Sequence, residues 1–127
     1  MLCKELQYMD WVTDEHGFPM QITNVGEDYA YATFEGNEGD PWEFDDKDNQ
    51  PKPFPLTAEI LEKNGWKETQ YWHEYQDGRS TIQCRLPDMQ GMINGVFIEH
   101  FQCEYVHQYQ HLLRLCGLNE LADNFKV

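Results

Sequence analysis

The chain has 127 residues with 23 acidic and 9 basic side chains, a formal net charge of −14, and is 40% hydrophobic and 14% aromatic. One domain is the expectation at this length, against a prior of roughly 150 residues per domain, and 4 Trp, 7 Tyr and 7 Phe supply a core that a disordered chain lacks. The charge argues against direct binding to nucleic acid or to an anionic membrane, both of which rest on Lys and Arg meeting a polyanion.

No apolar run approaches the ~20 residues of a membrane span, and Met1–Glu5 lacks the basic start and apolar run of a signal peptide. Cys3, Cys84, Cys103 and Cys116 form no Cys-x-x-Cys pair. Reduced thiols in a cytoplasmic protein are therefore expected.

Trp11–Thr13 reads as a strand, Asp14–Gly17 as a turn, and Met20–Val25 as a second strand with Met20, Ile22 and Asn24 at alternating positions. Gly26–Asp28 turns the chain again. Tyr29–Phe34 is then a third strand with Tyr29 and Tyr31 on one face and small residues between, Glu35–Gly39 a loop, and Trp42–Phe44 a fourth strand. Four short strands with tight turns predict a small, bent antiparallel sheet of the SH3-like kind. Residues 45–55 are a linker by composition, because Pro51, Pro53 and Pro55 exclude a helix interior and a central strand. The chain thereby divides into a β part, 1–50, and a mixed part, 51–127.

Leu56–Gly65 carries complete helix punctuation. Thr57 is the N-cap, Glu59 lies in the first turn, Leu56 and Leu61 form a hydrophobic staple, and Gly65 is the stop. Beyond it, Trp66–Tyr75 reads as one strand, Asp77-Gly78 as a hairpin turn, Thr81–Leu86 as the returning strand, and Val96–Phe101 as another after Asn94-Gly95. Glu104–Gly117 is a long amphipathic helix. Val106, Tyr109, Leu112, Leu113 and Cys116 share one stripe at a 3.6-residue period, and His107, Gln110, His111 and Arg114 lie opposite as a polar face. Gly117 and Leu118 provide a Schellman-type stop. Asn119–Val127 is expected to be an edge strand or a docked extension. The fold class that results is α+β: a bent N-terminal sheet, a short capped helix, and a second antiparallel sheet covered by one long C-terminal helix.

Three segments carry a resemblance. Pro55–Trp66 (Pro-Leu-Thr-Ala-Glu-Ile-Leu-Glu-Lys-Asn-Gly-Trp), Tyr105–Leu112 (Tyr-Val-His-Gln-Tyr-Gln-His-Leu) and Gly117–Leu121 (Gly-Leu-Asn-Glu-Leu) resemble, in order and spacing, segments of a family of uncharacterised small proteins of gut bacteria and their phages. That family opens with Leu-Arg-Ile-Gly-Asn-x-Val, where this chain has Leu6-Gln7-Tyr8-Met9-Asp10-Trp11-Val12 and differs at all four central residues. The resemblance implies a phage or prophage accessory role and names no catalytic residue, since its motifs are capping and packing signals.

Two constellations could carry chemistry. His100, Cys103, His107 and His111, at spacings of 3, 4 and 4, would share one side of a helix begun near residue 100, and imidazole with thiolate suits a borderline metal such as zinc. An ordinary polar face is the competing reading, so no metal or cofactor is assigned. Asp46–Gln50 fails as a calcium loop, with Pro51 at the sixth position and Thr57 at the twelfth, and no Gly-x-Ser-x-Gly or phosphate-cradling loop is present. An enzyme is not expected.

The second constellation is acidic. Residues 1–64 carry a net charge of −11 and residues 65–127 a net −3. Glu35, Glu38, Asp40, Glu43, Asp45, Asp46 and Asp48, with Trp42 among them, are the candidate partner-binding residues. Such a surface can occupy the basic groove of a protein partner, as an inhibitor of a bacterial defence or nucleic-acid-handling protein would. A solubilising face is the alternative.

Overall fold

The computed structural model describes residues 1–37, 39–85 and 90–127 and, at 99–102, the backbone alone. The chain is α+β with two five-stranded antiparallel sheets and few, short helices. It forms two compact units, Met1–Phe54 and Pro55–Val127, with the boundary inside the proline-rich segment. No helix among the described residues is long and apolar enough to cross a membrane.

In the first unit a 3₁₀ turn, Cys3–Glu5, precedes β1 (Trp11–Thr13), β2 (Pro19–Val25), β3 (Tyr29–Thr33), β4 (Trp42–Asp45) and β5 (Lys52–Pro53). The strand order is β4-β3-β2-β1-β5. Alternation fills the inner face with Val12, Met20, Ile22, Ala30, Ala32 and Phe44, closed by Cys3 and Leu6. A register shift between Ile22 and Asn24 ends the alternation in β2, so Asn24 is exposed. The Asp14 turn is held by its own carboxylate, which accepts from the His16 and Phe18 N–H groups at 2.9 Å each. The predicted linker is not wholly irregular. Lys52 and Pro53 pair with Thr13 and Val12 at the end of the sheet, where a residue without an N–H is tolerated.

The second unit begins with α1 (Ala58–Lys63), where Thr57 Oγ1 accepts from Ile60 N–H at 3.2 Å and Leu56 and Leu61 are both buried, as the punctuation predicts. The stop is a Schellman turn: Trp66 N–H reaches Leu61 O at 3.0 Å and Gly65 N–H reaches Glu62 O at 3.0 Å. The expected single strand 66–75 is two, β6 (Lys67–Glu68) and β7 (Trp72–Asp77), folded on each other with Thr69 N–H donating to Trp72 O at 2.8 Å. β8 (Ser80–Arg85) returns after Gly78-Arg79; Leu86 of the predicted strand lies outside the described residues. β9 (Gln90–Ile93), which periodicity does not reveal, and β10 (Val96–Gln102) complete the order β10-β9-β8-β7-β6. Asn94 and Gly95 join them with φ of 51° and 80°, as a type I′ hairpin turn demands.

α2 (Val106–Leu115) is a ten-residue helix where a longer one over 104–117 is predicted, and α3 (Asn119–Asp123) is a short helix where an edge strand or docked extension is expected. Gln108 Oε1 closes the start of α2 by accepting from the Glu104 and Tyr105 N–H groups. Gly117, at φ +81°, ends it, with Leu118 N–H on Leu113 O at 2.8 Å. Val106, Tyr109, Leu112 and Leu113 are fully buried as the stripe requires, but Cys116 at its end is exposed. The face predicted as polar and open is largely covered. Gln110 is fully buried and donates to Ala122 O at 3.1 Å, His107 is 8% exposed, and Arg114 Nε contacts Asp123 Oδ1 at 3.3 Å. α3 therefore lies over the flank of α2 that a two-sided periodicity assigns to solvent.

Packing explains why these two helices sit where they do. A methyl group on Gly91 of β9 would run into Leu112, and the Cys103 sulfur lies 3.3 Å from the same point, so the absent side chain lets α2 approach the sheet. Trp66 Nε1 donates to Tyr109 Oη at 3.1 Å, and Phe125 stacks edge-on against both rings. Burial holds the Tyr109 phenol well above its ordinary pKa. The last residues dock on α1, with Asn64 and Lys126 exchanging two hydrogen bonds of 2.7 Å.

Candidate functional site

The acidic segment is distributed by the β3–β4 pairing. Tyr29 faces Asp45, Ala30 faces Phe44, Tyr31 faces Glu43 and Ala32 faces Trp42. Because side chains alternate, Ala30, Ala32 and Phe44 point into the core and Tyr29, Tyr31, Glu43 and Asp45 share the outer face. Trp42 belongs to the Phe44 side, meets that ring edge-on at 6.4 Å, and is 39% exposed. Trp42 and Glu43, neighbours in sequence, thus serve opposite faces.

Glu35, Asp40, Glu43 and Asp48 are exposed, as a binding surface needs. Glu38 lies outside the described residues. Asp45 and Asp46 have structural partners instead. The Asp45 Oδ1 accepts from Lys47 N–H at 2.8 Å and Asp48 N–H at 2.7 Å, and the Asp48 and then the Lys47 N–H hold this carboxyl below its ordinary value of 3.8. Asp46 Oδ1 accepts from Cys3 N–H at 2.8 Å. Burial first, and then the side-chain hydrogen bond to the Asp46 carboxylate and its charge, push the Cys3 thiol up to about 12. Asp46 also lines a cleft of about 350 Å³ with Glu27, Asp28, Leu2 and Lys4.

Two residues missing from the acidic set belong to the face. Tyr29 and Tyr31 lie outward with ring centroids 5.6 Å apart, and Tyr29 is 41% exposed. The signal was the Tyr-Ala-Tyr-Ala alternation, which shows that the tyrosines share a face. Only the packing of Ala30 and Ala32 in the core shows that this face is the open one.

His100, Cys103, His107 and His111 do not line one helical face, because α2 starts at Val106 and His100 belongs to β10. The side chain of His100 lies outside the described residues. Cys103 is fully buried, and burial pushes its thiol up to about 12, away from the thiolate that binds metal. His107 stacks on Tyr105 at 6.1 Å and meets His111 edge-on at 5.6 Å. Helix position thus brings the two histidines together and leaves Cys103 in the core.

Metal-ligating atoms converge elsewhere. Among the described residues one group qualifies: Glu62, Glu68 and His73, whose ligand atoms all lie within 4.8 Å of one another. Glu62 comes from the last turn of α1, and Glu68 and His73 are directly paired across the β6–β7 hairpin. His73 is 1% exposed, with Nε2 3.2 Å from Glu62 Oε1, and its Nδ1 is buried without a hydrogen-bond partner. Spacings of 6 and 5 in sequence match no ligand motif, and an unbroken strand over 66–75 would keep Glu68 and His73 apart. The turn at 69–71 makes the group.

Comparison with protein-family models, with curated proteins and with solved structures finds no match for this chain.

Proposed function

We propose that the protein is a non-enzymatic binding protein that presents the acidic, tyrosine-bearing outer face of β3–β4 to a protein partner with a basic groove. The observation that carries this reading is the arrangement on that hairpin: Tyr29 and Tyr31 stand beside Glu43 on the strand at the sheet edge, with Glu35, Asp40 and Asp48 exposed around it. Aromatic side chains give contact area at small entropic cost, and surrounding carboxylates steer and select a cationic partner. A cytoplasmic phage or prophage accessory protein that inhibits a defence or nucleic-acid-handling protein is the form of this function that the Pro55–Trp66, Tyr105–Leu112 and Gly117–Leu121 segments favour. The order β4-β3-β2-β1-β5, a meander whose fifth strand joins the first, supports an SH3-like reading of the face's scaffold.

The test is capture from a host lysate on immobilised protein, comparing wild type with a Glu35→Gln, Asp40→Asn, Glu43→Gln, Asp48→Asn variant. Asp45 and Asp46 are kept because their carboxylates hold the turn and the N-terminal segment. The variant is expected to melt like wild type and to lose a partner that wild type releases as salt rises. Retention of the same partner by the variant would leave the acids a solubilising role.

A further inference from the structure

We propose that Glu62, Glu68 and one imidazole nitrogen of His73 form a binding site for a divalent transition-metal ion of the zinc class. The site belongs to the second unit and does not depend on the function of the β3–β4 face. Two elements that are not neighbours in sequence deliver the ligands: α1 brings Glu62, and the cross-strand pair of β6 and β7 brings Glu68 and His73. Ligand atoms within 4.8 Å of one another need only a small closing movement to share an ion at ~2.0–2.2 Å from each. The two glutamates can supply it, because both are exposed and end on rotatable stems.

His73 is the independent sign. The ring is 1% exposed, yet only Nε2 has a partner, the Glu62 carboxylate, and Nδ1 has none. Buried polar atoms are nearly always satisfied, yet this imidazole turns Nε2 to the Glu62 carboxylate and leaves Nδ1 elsewhere on the ring with no partner, so the ring keeps coordinating capacity that the fold does not use. In a neutral ring one nitrogen always carries a lone pair, and metal binding uses that form. Imidazole with two carboxylates suits zinc, manganese or iron(II) better than calcium or magnesium, which take oxygen alone. Three protein ligands on an open surface leave the other positions to water. A bound ion would clip the end of α1 to the β6–β7 hairpin.

The experiment uses full-length protein without a histidine tag, stripped with EDTA and titrated with zinc chloride by calorimetry and thermal melting. Wild type is expected to take one ion and to melt at a higher temperature, reversibly with EDTA. Glu62→Gln and Glu68→Gln replace exposed side chains, so both should stay folded without zinc. Each should weaken binding by more than the roughly tenfold that loss of a mere outer-shell partner costs. His111→Gln, which alters the His107–His111 pair on α2 instead, should bind as wild type does. No saturable uptake by wild type, wild-type uptake by both glutamate variants, or loss of uptake in His111→Gln alone would each overturn the site.

Discussion

Leu112 and Gln110 lie two residues apart on α2, and both are fully buried for different reasons. Leu112 fills the space left by Gly91, so Leu112→Ala opens a cavity and should cost ~2–5 kcal/mol in denaturant unfolding. Gln110→Ala should cost about 1–3 kcal/mol, because it strips the Ala122 carbonyl of its buried donor. If Gln110→Ala proved neutral, α3 would not be docked over that flank of α2. Cys3, Cys84 and Cys103 are buried and Cys116 is exposed, so a thiol reagent at neutral pH should modify one cysteine in the native protein and four after denaturation. Peptide mass spectrometry should find the early label on Cys116. Cys3 and Cys103 have folded values raised to about 12, so the stability they contribute is complete below the ordinary 9.0 and is lost as pH climbs from there through about 12.

At the scale of elements, local chemistry was legible and long-range support was not. Thr57, Gly65, Asn94-Gly95 and Gly117 act through bonds a few residues long, and each ends or turns its element as its residue type demands. β9 was not legible, since Gln90 and Gly91 have weak strand character and the strand forms where α2 can pack against Gly91. α3 has only five residues and gains its support from Gln110 and from the docked Phe125, neither of which its own sequence shows. The division of 66–75 into a hairpin escaped for a related reason, and with it went the Glu62, Glu68 and His73 group. Asp45 has a depressed folded pKa, so its stabilisation is present above about 3.8 and is lost as pH falls through the lower folded value. Asp45→Ala should therefore lower the melting temperature at neutral pH and flatten its decline in acid. An unchanged acid slope would show that the Lys47 and Asp48 N–H groups do not hold this carboxylate.

Across the whole molecule the acidity is concentrated in the first 64 residues, at net −11 of the total −14. The sequence showed that concentration but not how the sheet sorts it. Pairing placed Glu43 outward beside Tyr29 and Tyr31, turned Trp42 to the other side, and gave Asp45 and Asp46 to the backbone. The proposed binding face is thus smaller than the acidic run and includes two tyrosines that charge alone would not select. The measurement that tests this most directly is the affinity of the captured partner for wild type, for Glu35→Gln, Asp40→Asn, Glu43→Gln, Asp48→Asn and for Tyr29→Ala, each over a series of salt concentrations. The account predicts that wild-type affinity falls steadily with salt, that the charge variant binds weakly with little salt dependence, and that Tyr29→Ala binds weakly while keeping the wild-type salt slope. Equal affinity of all three proteins at every salt concentration would contradict it.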